Sequence, residues 1–166
     1  KPFTLECIEI VKRMGYEETL EYAQVFVTAS HVGIQYQNWD AALEGYERAK
    51  EILDKINDEE EAKLDYIESW GTTLTGMAFC YQKLNKRDQA FILFDLAVKE
   101  MERLGGKKHV NYALALHGLG LLCFENRLPD VAMHHFQTAL RIYAVVFGMK
   151  HEIVRRLSEE MVKTID

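Results

Sequence analysis

The chain has 166 residues, 48% of them apolar and 28% charged, and a net charge of −6. That is enough for one domain with a sizeable core. Residues 1–83 hold 8 Lys/Arg against 16 Asp/Glu and residues 84–166 hold 12 against 10, so no basic footprint for nucleic acid is expected.

The first stretch, residues 3–14, carries Phe3, Leu5, Ile8 and Val11 at helical spacing and ends in Lys12-Arg13 before Gly15, which predicts a short leading helix. Glu17–Gln37 and Asp40–Ile56 read as a helical hairpin turning at Asn38, with Asp40 the expected cap of its second helix. Asp58-Glu59-Glu60-Glu61 follows and is read as the acidic first turn of a long helix rather than as a cation or basic-partner site. That helix is expected to run to Leu84 with Tyr66, Trp70, Leu74, Met77 and Tyr81 on one side, and Arg87–Leu104 folds back on it until Gly105-Gly106. His109–Asn126 and Pro129–Phe147 make a third hairpin. Its apolar stripes are Leu116, Leu119, Leu122, Cys123 and then Val131, Ala132, Phe136, Ala139, Leu140, with Pro129 suited to a first helical turn. Gly120 and Ala132 are small where the two axes must approach. His151–Ile165 is an unpaired last helix.

The second helices repeat themselves. Ala42, Tyr46, Ala49, then Ala90, Phe94, Ala97, then Ala132, Phe136, Ala139 give one pattern three times; 48 residues separate the first two copies and 42 the last two. The pattern, with Leu119-Gly120 and, in the second copy, Met77-Ala78 and Tyr81 in the first helices, resembles the tetratricopeptide repeat. Cys123 stands where that family usually has Tyr, and the closing Pro is replaced by Asp54, Glu102 and Ala144. A period near 42 resembles repeats of the kinesin-light-chain type, in which His often opens the first helix, as His109 and His151 do here. Trp39 falls where such repeats hold a large residue between the helices.

The resemblance implies an all-α fold, an α-solenoid of antiparallel helix pairs in a right-handed superhelix, with about three repeats plus flanking helices. The expected layout is one domain over 1–166: a leading helix at 3–14, repeats at 17–56, 58–104 and 108–147, and a terminal helix at 151–165, the whole expected to be part of a longer protein. No apolar run approaches the roughly 20 residues of a membrane span. No basic-then-apolar secretory pattern opens the chain. A cytoplasmic protein is therefore expected, with Cys7, Cys80 and Cys123 as reduced core thiols.

Catalytic motifs are absent from the sequence: no phosphate-binding glycine loop, no Ser elbow, no H-E-x-x-H, no C-x-x-C. His134-His135 invites a metal reading, but neighbours on a helix point about 100° apart and cannot readily share one ion, so two partly exposed imidazoles are expected. Neither enzyme activity nor a cofactor is expected. His117 and Cys123 face different directions, so no nucleophile–base pair forms there.

The function implied by the resemblance is a protein-interaction scaffold, holding a peptide or helical segment of a partner on an inner wall built from first helices. Position by position, that wall takes Gln24, Val27, His31 and Gln35 from the first repeat, and Thr72, Thr75, Phe79, Gln82 and Lys83 from the second. Leu114, His117, Leu121, Phe124 and Glu125 come from the third, and Arg156, Glu159 and Lys163 from the last helix. Phe79 and Phe124 are its aromatic anchors, burial between helices being the other reading of both. The Lys, Arg and Asn cluster of chaperone-tail adaptors is not recognisable. Two alternatives remain: self-association through Met161, Val162 and Ile165 on the last helix, and a ligand-sensing role.

Overall fold

The computed structural model describes residues 10, 13, 15, 19–56 and 64–165. Seven α-helices fill the described stretches: α1 Leu20–Gln35, α2 Trp39–Leu53, α3 Leu64–Lys83, α4 Arg87–Arg103, α5 Val110–Glu125, α6 Pro129–Phe147 and α7 Glu152–Ile165. The expected leading helix at 3–14 lies outside the described residues, apart from Ile10 and Arg13, both helical. Cys7 and the acidic run Asp58–Glu61 lie outside them as well.

Three of the joints are built alike. In the turns after α1, α3 and α5 one residue takes a left-handed conformation: Gln37 (φ 56°), Asn85 (φ 59°) and Arg127 (φ 60°). The amide that follows each returns to a carbonyl five residues back, Asn38 to Gly33 and Leu128 to Cys123 at 2.9 Å each, with Lys86 to Tyr81 at the same length. The helix therefore ends by satisfying its own orphan carbonyls and the chain reverses within a few residues. Gly105, at φ 77°, closes α4 in the same way, Gly106 donating to Met101 at 2.7 Å.

The helix starts are also residue-specific. Thr19 caps α1 through its hydroxyl, and His109 caps α5, its Nδ1 accepting from the Asn111 amide at 3.2 Å. His151 repeats that contact with the Ile153 amide at 3.3 Å. The expectation of Asp40 as the cap of α2 is corrected: Asn38 accepts from the Ala41 amide at 3.3 Å, and Asp40 lies in the first turn, where its charge favours the positive helix end. Pro129 opens α6 as expected. Helix α3, at 20 residues against 16 in α1 and α5, takes up part of the longer spacing between the first two copies.

Contacts divide the chain into two compact units, Lys1–Ala90 and Phe91–Asp166. In the first, α2 packs on α1 and α3, and the core is led by Tyr46, Leu53, Tyr66 and Leu74, all essentially unexposed. The ring of Tyr46 lies against Gly76, where an added Cβ would come within 2.3 Å of it. In the second unit α6 packs on α5 and α7, around Met101, Leu122, Phe136, Tyr143 and Leu157. Phe94 lies on Gly118 as Tyr46 lies on Gly76, a Cβ there coming within 2.4 Å of the ring. Gly120 admits Phe136 at the same distance, which is the close approach expected of it. Each aromatic of a second helix thus finds a glycine on a neighbouring first helix, and the repeat is a packing rule as well as a sequence pattern.

Candidate functional site

The residues expected of an inner wall lie on α1, α3, α5 and α7. On α5, Leu114, His117, Leu121 and Phe124 fall within one arc, since neighbours among them are spaced three or four apart, and Glu125 follows one turn after Leu121. Leu114 is 38% and Phe124 40% exposed, large apolar groups left in water on that face. Leu121 and His117 are half-buried between them. On α7, Arg156, Glu159 and Lys163 are exposed along one side.

What joins these two faces is a contact that the sequence reading missed. His117 Nε2 lies 2.7 Å from Glu160 Oε2, the side chains 18% and 28% exposed. The imidazole stands edge-on to Phe136 and Tyr143, at 5.9 and 6.2 Å between ring centres. Burial, followed by the nearby Glu160 charge, raises the pKa of the Tyr143 phenol well above the ordinary value and keeps it neutral. A signal for Glu160 did exist. Gly76 and Gly118 lie 42 residues apart, and the next step of 42 lands on Glu160. The last helix has a carboxylate where the earlier first helices have the glycine that receives an aromatic ring.

In the first unit the expected residues separate into two groups. His31, Gln35 and Lys83 are exposed and Gln82 is half-buried, whereas Val27 and Thr75 are each only 8% exposed. Thr75 donates its hydroxyl to the Gly71 carbonyl at 2.6 Å, satisfying its polar atom within its own helix. Those two positions, expected on the wall, are buried instead by packing. Phe79 is half-buried, edge-on to Trp39 at 5.9 Å, with the Lys83 ammonium 5.1 Å above its ring centre. Trp39 and Phe79 thus connect α2 to α3, and Gln24 Nε2 donates to Ser69 Oγ at 3.3 Å between α1 and α3.

His134 is exposed and His135 half-buried, their ring centres 6.1 Å apart. His135 has a lowered pKa, by burial first and by His134 second. Among the described residues no group of three His, Cys, Asp or Glu is placed to hold a metal ion. Cys80 and Cys123 are free buried thiols, both pushed up by burial, Cys80 to about 11.

The tetratricopeptide-repeat family model matches residues 71–144. Over those residues, under half of the chain, it is similar to that family. The tetratricopeptide fold extends beyond the match. BtubC (BKLC) from P. vanneervenii, a kinesin-light-chain-like tetratricopeptide-repeat protein, has a similar structure, with a TM-score of 0.78 over 98% of this chain and 63% of that one, at 14% identity. The chain thus spans less than two thirds of that protein's length, and the likeness is one of fold: an all-α helical-repeat solenoid. No curated protein matches the chain. Tetratricopeptide domains in general are protein-interaction modules. Among the described residues no helix is long and apolar enough to cross a membrane.

Proposed function

We propose that this tetratricopeptide chain is a non-catalytic interaction scaffold that holds a peptide or helical segment of a partner protein on the faces of its first helices. The observation that carries the reading is the face of α5, where Leu114 and Phe124 stay about two-fifths exposed on the helix whose His117 bonds Glu160 of α7. Aromatic and aliphatic anchors in a polar surround are the usual energetic centre of an interface. Phe124 on α5, with Arg156 and Glu159 on α7, supplies one such surface. His31, Gln35, Gln82 and Lys83 supply polar contacts in the first unit. A cytoplasmic setting suits the free thiols of Cys80 and Cys123.

The test is selection of binders from a random peptide display library on the intact chain, followed by affinity measurement against Phe124→Ala and Leu114→Ala. A tenfold or greater loss with unchanged far-UV circular dichroism supports the reading. Selected peptides that bind both variants as tightly as the parent refute it. Self-association is favoured by a different observation, Val162 at 59% exposure on α7 with Met161 half-buried beside it. A sedimentation mass that rises with concentration, and stops rising in Val162→Glu, is its expected signature.

A further inference from the structure

Away from those faces, the second unit contains a cavity of about 530 Å³ between the loop that leads into α5 and the C-terminal half of α6. Its apolar walls are the ring of Tyr112 with Ile142 and Val145. Its charged groups are Lys107 and Lys108 from the loop and Arg141 from α6, and no carboxylate lines it. Arg141 and Val145 lie one turn apart on α6, so a cation and an aliphatic group point to the same side. Thr138, on that same side, turns its hydroxyl back to the His134 carbonyl at 3.2 Å.

The polar groups divide in an informative way. The Tyr112 hydroxyl donates to Glu102 at 2.8 Å, and Lys107 Nζ lies 3.5 Å from the same carboxylate. Glu102 is not part of the lining, so the phenol tip and the Lys107 ammonium are already engaged by a carboxylate from beside the cavity. Burial, then Glu102, pushes the phenol up to about 12, which keeps it neutral. Lys108 and Arg141 have no ion-pair partner among the described residues, and Val145 is 82% exposed at the mouth.

We infer that this cavity binds a small amphiphilic anion, its carboxylate or phosphate head held by Lys108 and Arg141 and its apolar body laid on Tyr112, Ile142 and Val145. The volume falls within the range of about 300–1,000 Å³ typical of small-molecule sites, and an apolar lining with a few convergent polar groups is their usual make-up. The sign follows from the lining. An anion gains charge-assisted hydrogen bonds from two cations, the guanidinium fork matching either head, whereas a cation meets only repulsion. An extended peptide would need a row of such pockets, and this one is bounded by a loop and two helices.

The probe is dodecanoate, titrated below its micellar concentration into the intact chain and followed by calorimetry and by amide NMR. Saturable one-to-one binding with shifts at Tyr112 and Val145 is expected. The Lys108→Gln/Arg141→Gln double variant should bind at least tenfold more weakly, and so should Val145→Asp, a change at an exposed position that leaves the core intact. Dodecyltrimethylammonium should bind at least tenfold more weakly than dodecanoate, and dodecyl phosphate in the same assay tells which head is preferred. Leu114→Ala/Phe124→Ala should bind dodecanoate as the parent does, which separates this site from the peptide face. Absence of saturable binding would overturn the inference, as would equal binding by the double variant or by the cationic probe.

Discussion

His117 and Glu160, 43 residues apart, meet at 2.7 Å, and through them α5 and α7 are tied side chain to side chain. Both side chains are largely withdrawn from water, so the contact is less screened than a surface pair. Glu160→Ala should cost about 1 kcal/mol, the usual net worth of such a hydrogen bond. The loss should be local, appearing as faster amide exchange in α7 than in the α5–α6 hairpin. Exchange in α7 that stays at the parent rate would show that packing of Val154 and Leu157, both essentially buried, fixes that helix alone.

The ring of Tyr46 gives a second prediction. It is fully buried, and a Cβ at Gly76 would come within 2.3 Å of it. Replacing a helical glycine by alanine ordinarily stabilises by about 1 kcal/mol. Overpacking costs about 1–3 kcal/mol, and the ring is fully buried. Gly76→Ala should therefore lower the urea midpoint; a raised midpoint would mean that the ring can shift.

The hydroxyl of the same residue is buried without a hydrogen-bond partner, as is that of Tyr143. A buried polar atom that makes no bond carries its desolvation cost uncompensated, about 1–3 kcal/mol. Tyr46→Phe should be neutral or stabilising in chemical denaturation. A loss above about 1 kcal/mol would show that the phenol is bonded in solution, for instance by an internal water.

Cys80 sets an alkaline limit. Burial raises its pKa from 9.0 to about 11. The unfolded thiol ionises first, so the stabilisation is complete below pH 9 and is lost as pH rises toward 11. The slope from this one group is at most about 1.4 kcal/mol per pH unit. Denaturation of the parent and Cys80→Ala across that window should show a flatter profile in the variant, and parallel profiles would remove Cys80 as the cause.

The peptide face offers the last prediction: Phe124→Ala should weaken selected peptides at least tenfold, whereas Phe79→Ala should also lower stability. The reason lies in their surroundings. Phe124 is 40% exposed, while Phe79 is half-buried against Trp39 and under the Lys83 ammonium. Thermal melts run beside the binding assay separate the two effects.

Much of the repeat was legible in the residues because its causes are local or strictly periodic. Pro129 starts a helix by its fixed φ, Gly105 stops one by its positive φ, and histidines at 109 and 151 cap α5 and α7 through the same ring nitrogen. The small and aromatic positions spaced along α2, α4 and α6 announced hairpins that pack by one rule, and that rule holds wherever Tyr46, Phe94 or Phe136 lies on a glycine.

The wall was less legible. Helical spacing assigns Val27 and Thr75 to the same arc as His31 and Phe79, but it does not say how deep the neighbouring helix reaches, and packing buries the first two. Spacing equally cannot bring Glu160 to His117, or Lys108 and Arg141 to one cavity, because those pairs are distant in sequence and meet only once helices have docked. Sequence thus determined where each helix begins, ends and turns back, since capping, backbone strain and periodic burial act over a few residues. Tertiary structure decided which side chains remain open to a partner, since exposure depends on the side chains that each neighbouring helix brings against it.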